Sequence, residues 1–287
     1  MTDNVEIDPL RIVDENLFQS SQEVRLDMTF INSFQSEWLK KKRSLASWLV
    51  IVGAFFTPSI ILMSRIRNSS KLSALYVSDD FWVKLWKQSW ESMAAFLLPI
   101  GIILAVSLIT QIEYKNNTWK QLHATPQRFI TIFSAKFLVI LIMLAEVFVL
   151  FNFGIYLSAV IPSMLFSSIP YPTAPIPYLF FLNANINFFL DCLPILALQY
   201  LISLQFGNFL VPVGTGFLIW FLGVGMLSWE YSYIFPYVHS TLDFLITSGQ
   251  FGNRTIPPVN IRLLAVTYFA LFTIAGYALY VAKNDKG

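Results

Sequence analysis

Two carboxylates, Glu146 and Asp191, stand in stretches that are otherwise apolar. A charge in hydrocarbon is costly unless it meets a protein partner or water, so such groups mark proton relays, ion paths or buried contacts. Glu146 falls ten residues past Lys136, ~15 Å along a helix, which places it near mid-bilayer. Asp191 falls a little inside the outer end of its own segment, shortly before Pro194. Both are candidates for a polar site inside the membrane, as cavity-lining or subunit-contact carboxylates. The other reading is a protonated or hydrogen-bonded packing group. Asn152, Asn183, Asn185 and Asn187 are available as hydrogen-bond partners for either, or as interhelical glue.

Other chemistries find no support in the residues. No Gly-x-x-x-x-Gly-Lys-[Ser/Thr] run exists to cradle nucleotide phosphates. The only histidines, His123 and His239, lie on opposite expected sides of a membrane, and no His/Cys/carboxylate cluster offers the three or four convergent ligands a zinc site needs. A Gly-x-Ser-x-Gly nucleophile elbow is missing too. The chain is therefore expected to hold no catalytic residue, metal or cofactor. If ATP and Mg take part, they belong to a partner.

What remains is a gripping surface. Residues 116–126 read Asn-Asn-Thr-Trp-Lys-Gln-Leu-His-Ala-Thr-Pro between two apolar segments. Thr118 followed by Gln121 is a capping-box pattern, so a short helix can start at Trp119. Pro126 ends it, because the residue before a proline is pushed out of the helical region. A one- or two-turn helix at the membrane surface, on the side where positive charges gather, is expected to be a coupling helix that a separate motor subunit pushes.

The elements that must position it follow from composition. Hydrophobic residues make up 56% of the 287 residues and charged ones 13%, and mean hydropathy is +0.61. Soluble domains carry about a quarter charged residues, so an integral membrane protein is implied, and the net charge of +2 gives no reason to expect nucleic acid. Apolar runs of bilayer length predict six transmembrane helices at about 45–64, 92–110, 137–161, 186–204, 209–228 and 260–281. Gly214, Gly216, Gly223 and Gly225 in the fifth would let backbones approach closely. Ahead of the spans, Leu26, Phe30, Phe34 and Trp38 recur every four residues and Lys40, Lys41, Lys42 and Arg43 close the pattern. That is an amphipathic interfacial helix over 28–43. Residues 1–27, rich in Asp and Glu, read as a cytosolic arm with no cleavable signal, and 44–283 as the six-span domain.

Basic residues set the orientation. Ten fall on the side of Lys40–Arg43 and seven on the other, so both termini are expected in the cytosol of a multi-pass protein of the cell membrane. The turn between the fourth and fifth spans, Gln205 to Asn208, then faces the cytosol. Residues 162–177, with five prolines and no charge, should be a stiff extended outer segment. Residues 229–259 open with Trp229, Tyr231, Tyr233, Phe235 and Tyr237 and should rest in the outer interface, with a short helix around Ser240 to Ser248.

The pattern resembles the membrane subunits of type-2 ATP-binding-cassette exporters. Phe-Gln-Ser-Glu-Trp-Leu-Lys-Lys-Lys-Arg, from Phe34 to Arg43, is similar to the amphipathic helix that leads into that family's first span. Glu113, Thr118, Trp119, Lys120, Leu122, Pro126 and Lys136 resemble its first cytosolic loop, and the six-span layout agrees. The resemblance implies an all-α polytopic permease working beside a second permease, the same chain or another, and a dimer of ATPase subunits that binds ATP and Mg. It makes 116–126 the main docking helix and the 204–209 turn a smaller one. Trp119 and Leu122 would insert into a groove of the ATPase, Lys120 would pair with an acid there, and Glu113 would tether the loop. The stretch from Leu193 to Phe217 looks most like bacteriocin- or lantibiotic-immunity permeases. The substrate would be amphipathic (a peptide, lipid or drug-like molecule) and exported from the membrane. Two other functions stay open: a membrane module that anchors an ATPase and binds without transporting, and a secondary carrier driven by protons through Glu146.

Overall fold

The computed structural model describes residues 30–115, 128–252 and 257–284. Among these the regular structure is helical throughout. Helix α1 covers residues 30–42 and turns sharply into α2, Leu45–Arg67. The elbow is local chemistry. Ser44 adopts an extended backbone that cannot continue the helix, and the hydroxyls of Ser44 and Ser47 both donate to the Lys41 carbonyl at 2.8 Å.

Helix α3 differs from the sequence expectation. The second span, expected at about 92–110, begins eleven residues earlier: Phe81–Ser92 runs through a π turn at Met93–Leu97 into Leu98–Lys115. Lys84, Lys87 and Glu91 lower the hydropathy of this stretch, while its other face buries Phe81, Trp82, Leu85, Trp86 and Trp90. The π turn has a cause in Pro99, which has no N–H to donate to the carbonyl four residues back. The carbonyls left over are taken by side chains. Ala94 accepts from the hydroxyls of Ser240 at 3.0 Å and Thr241 at 3.3 Å, and Ala95 accepts from Trp220 Nε1 at 3.2 Å.

Helix α4, Phe129–Leu165, has 37 residues, ~55 Å, well beyond the ~30 Å of a hydrocarbon core. It starts eight residues before the expected span. Beside it, α2 crosses closely where Gly154 meets Pro58: a Cβ on Gly154 would lie 2.9 Å from the Pro58 ring. The proline-rich segment that follows has no helix from Phe166 to Pro177. It is held down by Trp82 Nε1 donating to the Ala174 carbonyl at 2.9 Å and Thr173 N donating to that of Tyr76 at 3.2 Å.

Helix α5, Tyr178–Gln205, and α6, Leu210–Gly225, form the expected tight hairpin. The segment after α6, expected on the outer side, makes two single turns, Ser232–Ile234 and Pro236–Val238, and a short helix α7, His239–Thr247, close to the stretch expected. Helix α8, Ile261–Asn284, packs along α5 and closes the bundle. Among the described residues, five helices are long and apolar enough to cross a membrane: α2, α3, α4, α5 and α8. The fifth of the six expected spans corresponds to α6, whose 16 residues reach ~24 Å.

Candidate coupling site

The loop expected to dock a motor subunit lies outside the described residues, including Thr118, Trp119, Lys120, Leu122 and Pro126, and so does the side chain of Glu113. Its two ends are described, and both are fixed at one end of the bundle. On the α3 side, Gln111 Nε2 donates to the carbonyls of Phe206 at 2.6 Å and Ser203 at 3.3 Å. Lys283 Nζ donates to the Tyr114 hydroxyl at 2.9 Å and to the carbonyls of Leu204 at 3.0 Å and Gln205 at 3.1 Å. Gly207 sits against the Tyr114 ring, where a Cβ would be 3.2 Å away. On the α4 side, Phe129 and Phe133 pack edge-on against Tyr280 and Tyr277 of α8, and the Tyr200 hydroxyl donates to the Phe133 carbonyl at 3.0 Å. Both ends of the 116–127 loop and the 206–209 turn therefore share one knot with the last turns of α8.

A hydrogen-bonded column leads away from that knot. Gln111 is bonded to Ser203, and the Ser203 hydroxyl lies 3.4 Å from that of Ser107. Gln199 Nε2 donates to the Ser107 hydroxyl and to the Pro212 carbonyl, each at 2.9 Å, and Gln199 Oε1 accepts from the Tyr237 hydroxyl at 2.9 Å. Gln199, Ser107, Ser203 and Tyr237 are all fully buried. Gly216 makes the room: a Cβ there would stand 2.5 Å from Gln199 Oε1. Of the four glycines read as packing residues, Gly216 and Gly223 meet neighbours, and Gly214 and Gly225 face open space. The column joins α3, α5, α6 and the outer hairpin. None of its members carries a charge. Sequence reasoning missed Ser107, Gln111, Gln199 and Ser203, and read Tyr237 as an interfacial aromatic although it is fully buried.

The second polar cluster binds α1 to α4. Glu37 accepts from Lys40 at 2.5 Å and from Lys136 at 3.3 Å, and Lys41 donates to Glu146 at 2.5 Å while lying over the Trp38 ring, 4.4 Å from its centroid. Glu37, Lys41 and Lys136 are buried, whereas Lys42 and Arg43 are exposed. Glu146 thus has a partner from the interfacial helix. Its height follows from the α2–α4 crossing. Gly154 lies beside Phe55 and Pro58, and eight residues back, ~12 Å along α4, Glu146 is level with the first turns of α2. A span starting at 137 puts Glu146 near mid-bilayer; in the structure the helix starts at Phe129, and Glu146 is reached by Lys41 from the helix before the elbow. The interfacial helix also faces inward differently from its apolar stripe. Phe34 and Trp38 are half-buried against the core and Phe30 is half-buried, but Ser33, Glu37 and Lys41 are the residues fully covered.

The remaining candidates sit elsewhere. Asn152 and Asn185 exchange reciprocal side-chain hydrogen bonds at 2.6 and 3.1 Å between α4 and α5. Asp191 is fully buried on α5, and neither of its oxygens has a hydrogen bond among the described residues. Near the outer hairpin, Arg262 donates to Asp243 at 3.2 Å, and burial raises the Asp243 carboxyl above its ordinary range despite that cation. His239 donates from Nε2 to the Tyr233 carbonyl at 2.7 Å, and burial pushes its pKa down to about 4. Among the described residues no group of three or more His, Cys, Asp or Glu could hold a metal ion.

Long apolar helices, joined by buried ion pairs and packed into one bundle, define a multi-pass, all-helical membrane protein. The comparison with known families then decides the kind. The profile described as ABC-2 family transporter protein matches residues 33–223, well over half of the chain. The chain belongs to that family, and it is a permease component of an ABC transporter, which implies an ATP-binding-cassette partner subunit. No curated protein matches it. The match begins inside α1 and ends in α6, so it takes in the elbow, the 116–127 loop and the 206–209 turn.

Proposed function

We propose that the chain is one of two permease subunits of an exporter in the cell membrane. Two ATPase subunits bind at the end where Lys40–Arg43, the 116–126 segment and the 206–209 turn lie, and both termini are on that side. This chain contributes no catalytic residue; ATP and Mg are held by the partners. Trp119 and Leu122 insert into the partner, Lys120 pairs with one of its acids, and the substrate is an amphipathic peptide, lipid or drug-like molecule taken from the membrane.

The observation that carries this reading is the shared knot. A displacement of the 116–126 segment reaches Gln111, Tyr114 and Phe129 directly, and those residues are tied to the 206–209 turn and α8. From Gln111 the buried column runs to Tyr237 of the outer hairpin. A fully paired column in low-dielectric surroundings moves as a unit, because breaking any member leaves a costly unsatisfied group. The ion pair of Glu146 with Lys41 supports a bracing role for that carboxylate.

The test is purification of the chain in detergent from its native cells, with and without Trp119→Ala. An ATPase subunit should accompany the unaltered chain, and vanadate-sensitive hydrolysis should fall several-fold for the variant, whose own thermal unfolding stays unchanged. Equal complex yield and equal hydrolysis for both would remove the docking assignment.

A further inference from the structure

A cavity of about 120 Å3 lies between α2, α3 and α4. Leu49 and Gly53 of α2, Gly101 of α3, and Met143 and Val147 of α4 stand on its wall, with Leu196 of α5 behind them. It approaches the size of the apolar cavity of roughly 150 Å3 that stays dry and takes up benzene. Its wall has two gaps: a Cβ built on Gly53 or on Gly101 meets nothing within 4 Å. Leu49, Gly53, Gly101 and Val147 are only half-buried, so the cavity reaches the surface of the bundle, and Trp48, Ile51 and Val52 beside it are exposed apolar residues on a membrane-spanning helix.

The charges beside it indicate the occupant. Of the four cations in series at the elbow, Lys40 is taken by Glu37 and Lys41 by Glu146. Lys42 and Arg43 are exposed, and neither has an ion pair among the described residues. Val50, on the cavity wall, is five residues into α2 from its first residue Leu45, ~8 Å along the helix, and Lys42 and Arg43 stand just before that start. A bilayer's headgroup layer is ~5–8 Å deep on each side of the hydrocarbon, so two cations and an apolar cavity at this separation match a phosphate and the acyl chain below it. A second copy of the chain fits less well. Laid on this face about a two-fold axis, it would bring a second Lys42 and Arg43 toward the first pair with no acid to compensate them.

We infer that the cleft between α2, α3 and α4 is a binding site for one acyl chain of an anionic phospholipid from the leaflet at the elbow, with Lys42 and Arg43 holding its phosphate. The lipid wedges the elbow end of α2 away from α3, filling a space the protein's own side chains leave empty. This site does not depend on transport or on any partner subunit.

The test uses the full chain in nanodiscs that contain phosphatidylglycerol carrying a photoreactive diazirine in its acyl chain, with labelled peptides located by mass spectrometry. Labelling should concentrate on the α2 and α3 peptides of the cavity wall. Gly101→Leu, whose Cβ would meet nothing within 4 Å, should lower it at least threefold there and leave labelling of the exposed Leu218–Leu222 face of α6 unchanged. Lys42→Gln combined with Arg43→Gln should reduce phosphatidylglycerol labelling of the cavity to the level of a phosphatidylcholine probe. Uniform labelling of all exposed helices, or cavity labelling that ignores Gly101→Leu, overturns the site. Equal labelling by the two lipids in the unaltered chain overturns the headgroup assignment. Efficient disulfide formation between two Gly101→Cys chains in membranes would make the cleft an interface between copies and also overturn it; the native Cys192 is buried and adds little background.

Discussion

The joint between α1 and α4 at the elbow and the joint between α3 and α5 toward the opposite end are held by opposite means. At the elbow, charged side chains do the joining: Glu37, Lys40, Lys41, Lys136 and Glu146 tie α1 to α4. Between α3 and α5 the joint is aromatic. Trp86 lies within ring-contact distance of Phe180, Phe188 and Phe244, and Trp90 stacks on Phe188 with centroids 4.1 Å apart and an 11° interplanar angle. Ion pairs near a water interface are sensitive to added charge and salt, whereas packed rings resist any shift that opens a void. The difference teaches where this protein can respond to a partner: the charged end is adjustable, and the aromatic end supplies the fixed frame.

The comparison breaks most visibly at Trp90. Trp90→Ala empties a fully buried ring site touching Phe148, Phe151 and Phe188 and should cost about 3–5 kcal/mol, read as the largest loss of thermal stability in detergent. Next comes Glu37→Gln, which removes the carboxylate charge 3.3 Å from the Lys136 ammonium, whose side chain is 3% exposed. A cost of about 3 kcal/mol is expected, and it should shrink when Lys136→Met is combined with it; an additive double variant would show that the two are not coupled. Glu146→Gln should cost less, since its side chain is 31% exposed. Gln199→Leu removes three hydrogen bonds in the column joining the two ends. We expect about 1–2 kcal/mol of stability but a larger drop in transport than in the partner's ATP hydrolysis; equal drops would sink the column as a transmission element.

The smallest effect is on pH. His239 has a pKa near 4 in the fold against ~6.5 in an unfolded chain. The unfolded state therefore binds the extra proton between those values, and stability falls as pH drops through that window. At pH 5.5 the loss should be about 1 kcal/mol, and His239→Gln should flatten the profile of unfolding temperature between pH 7 and 5.

Much of this was legible residue by residue. The apolar stretches behind α2, α3, α4, α5 and α8 declare themselves, and so does the short outer helix, because Tyr237 and its aromatic neighbours mark an interface. The cationic run at 40–43 marked the elbow. Which cation meets which acid was not legible: Lys41 and Glu146 are 105 residues apart and leave no periodic trace. The start of α3 was hidden for a different reason. Lys84 and Lys87 masked a helical face of Phe81, Leu85, Trp86 and Trp90 that a spacing count would have found. The column was invisible because Gln199, Ser107 and Ser203 look like ordinary polar residues until α3 and α5 lie side by side.

A bilayer tests each segment on its own terms: it must be apolar for its full length and satisfy its own backbone hydrogen bonds. Membrane residence, the helical class and a helix ahead of the first span were therefore written locally and could be read from the chain. Partner choice is a property of neighbours. The Lys41–Glu146 pair, the capping of the π turn by Ser240, Thr241 and Trp220, and the cleft beside Gly53 and Gly101 came into being only when the helices packed, since each needs groups from helices that the sequence holds far apart.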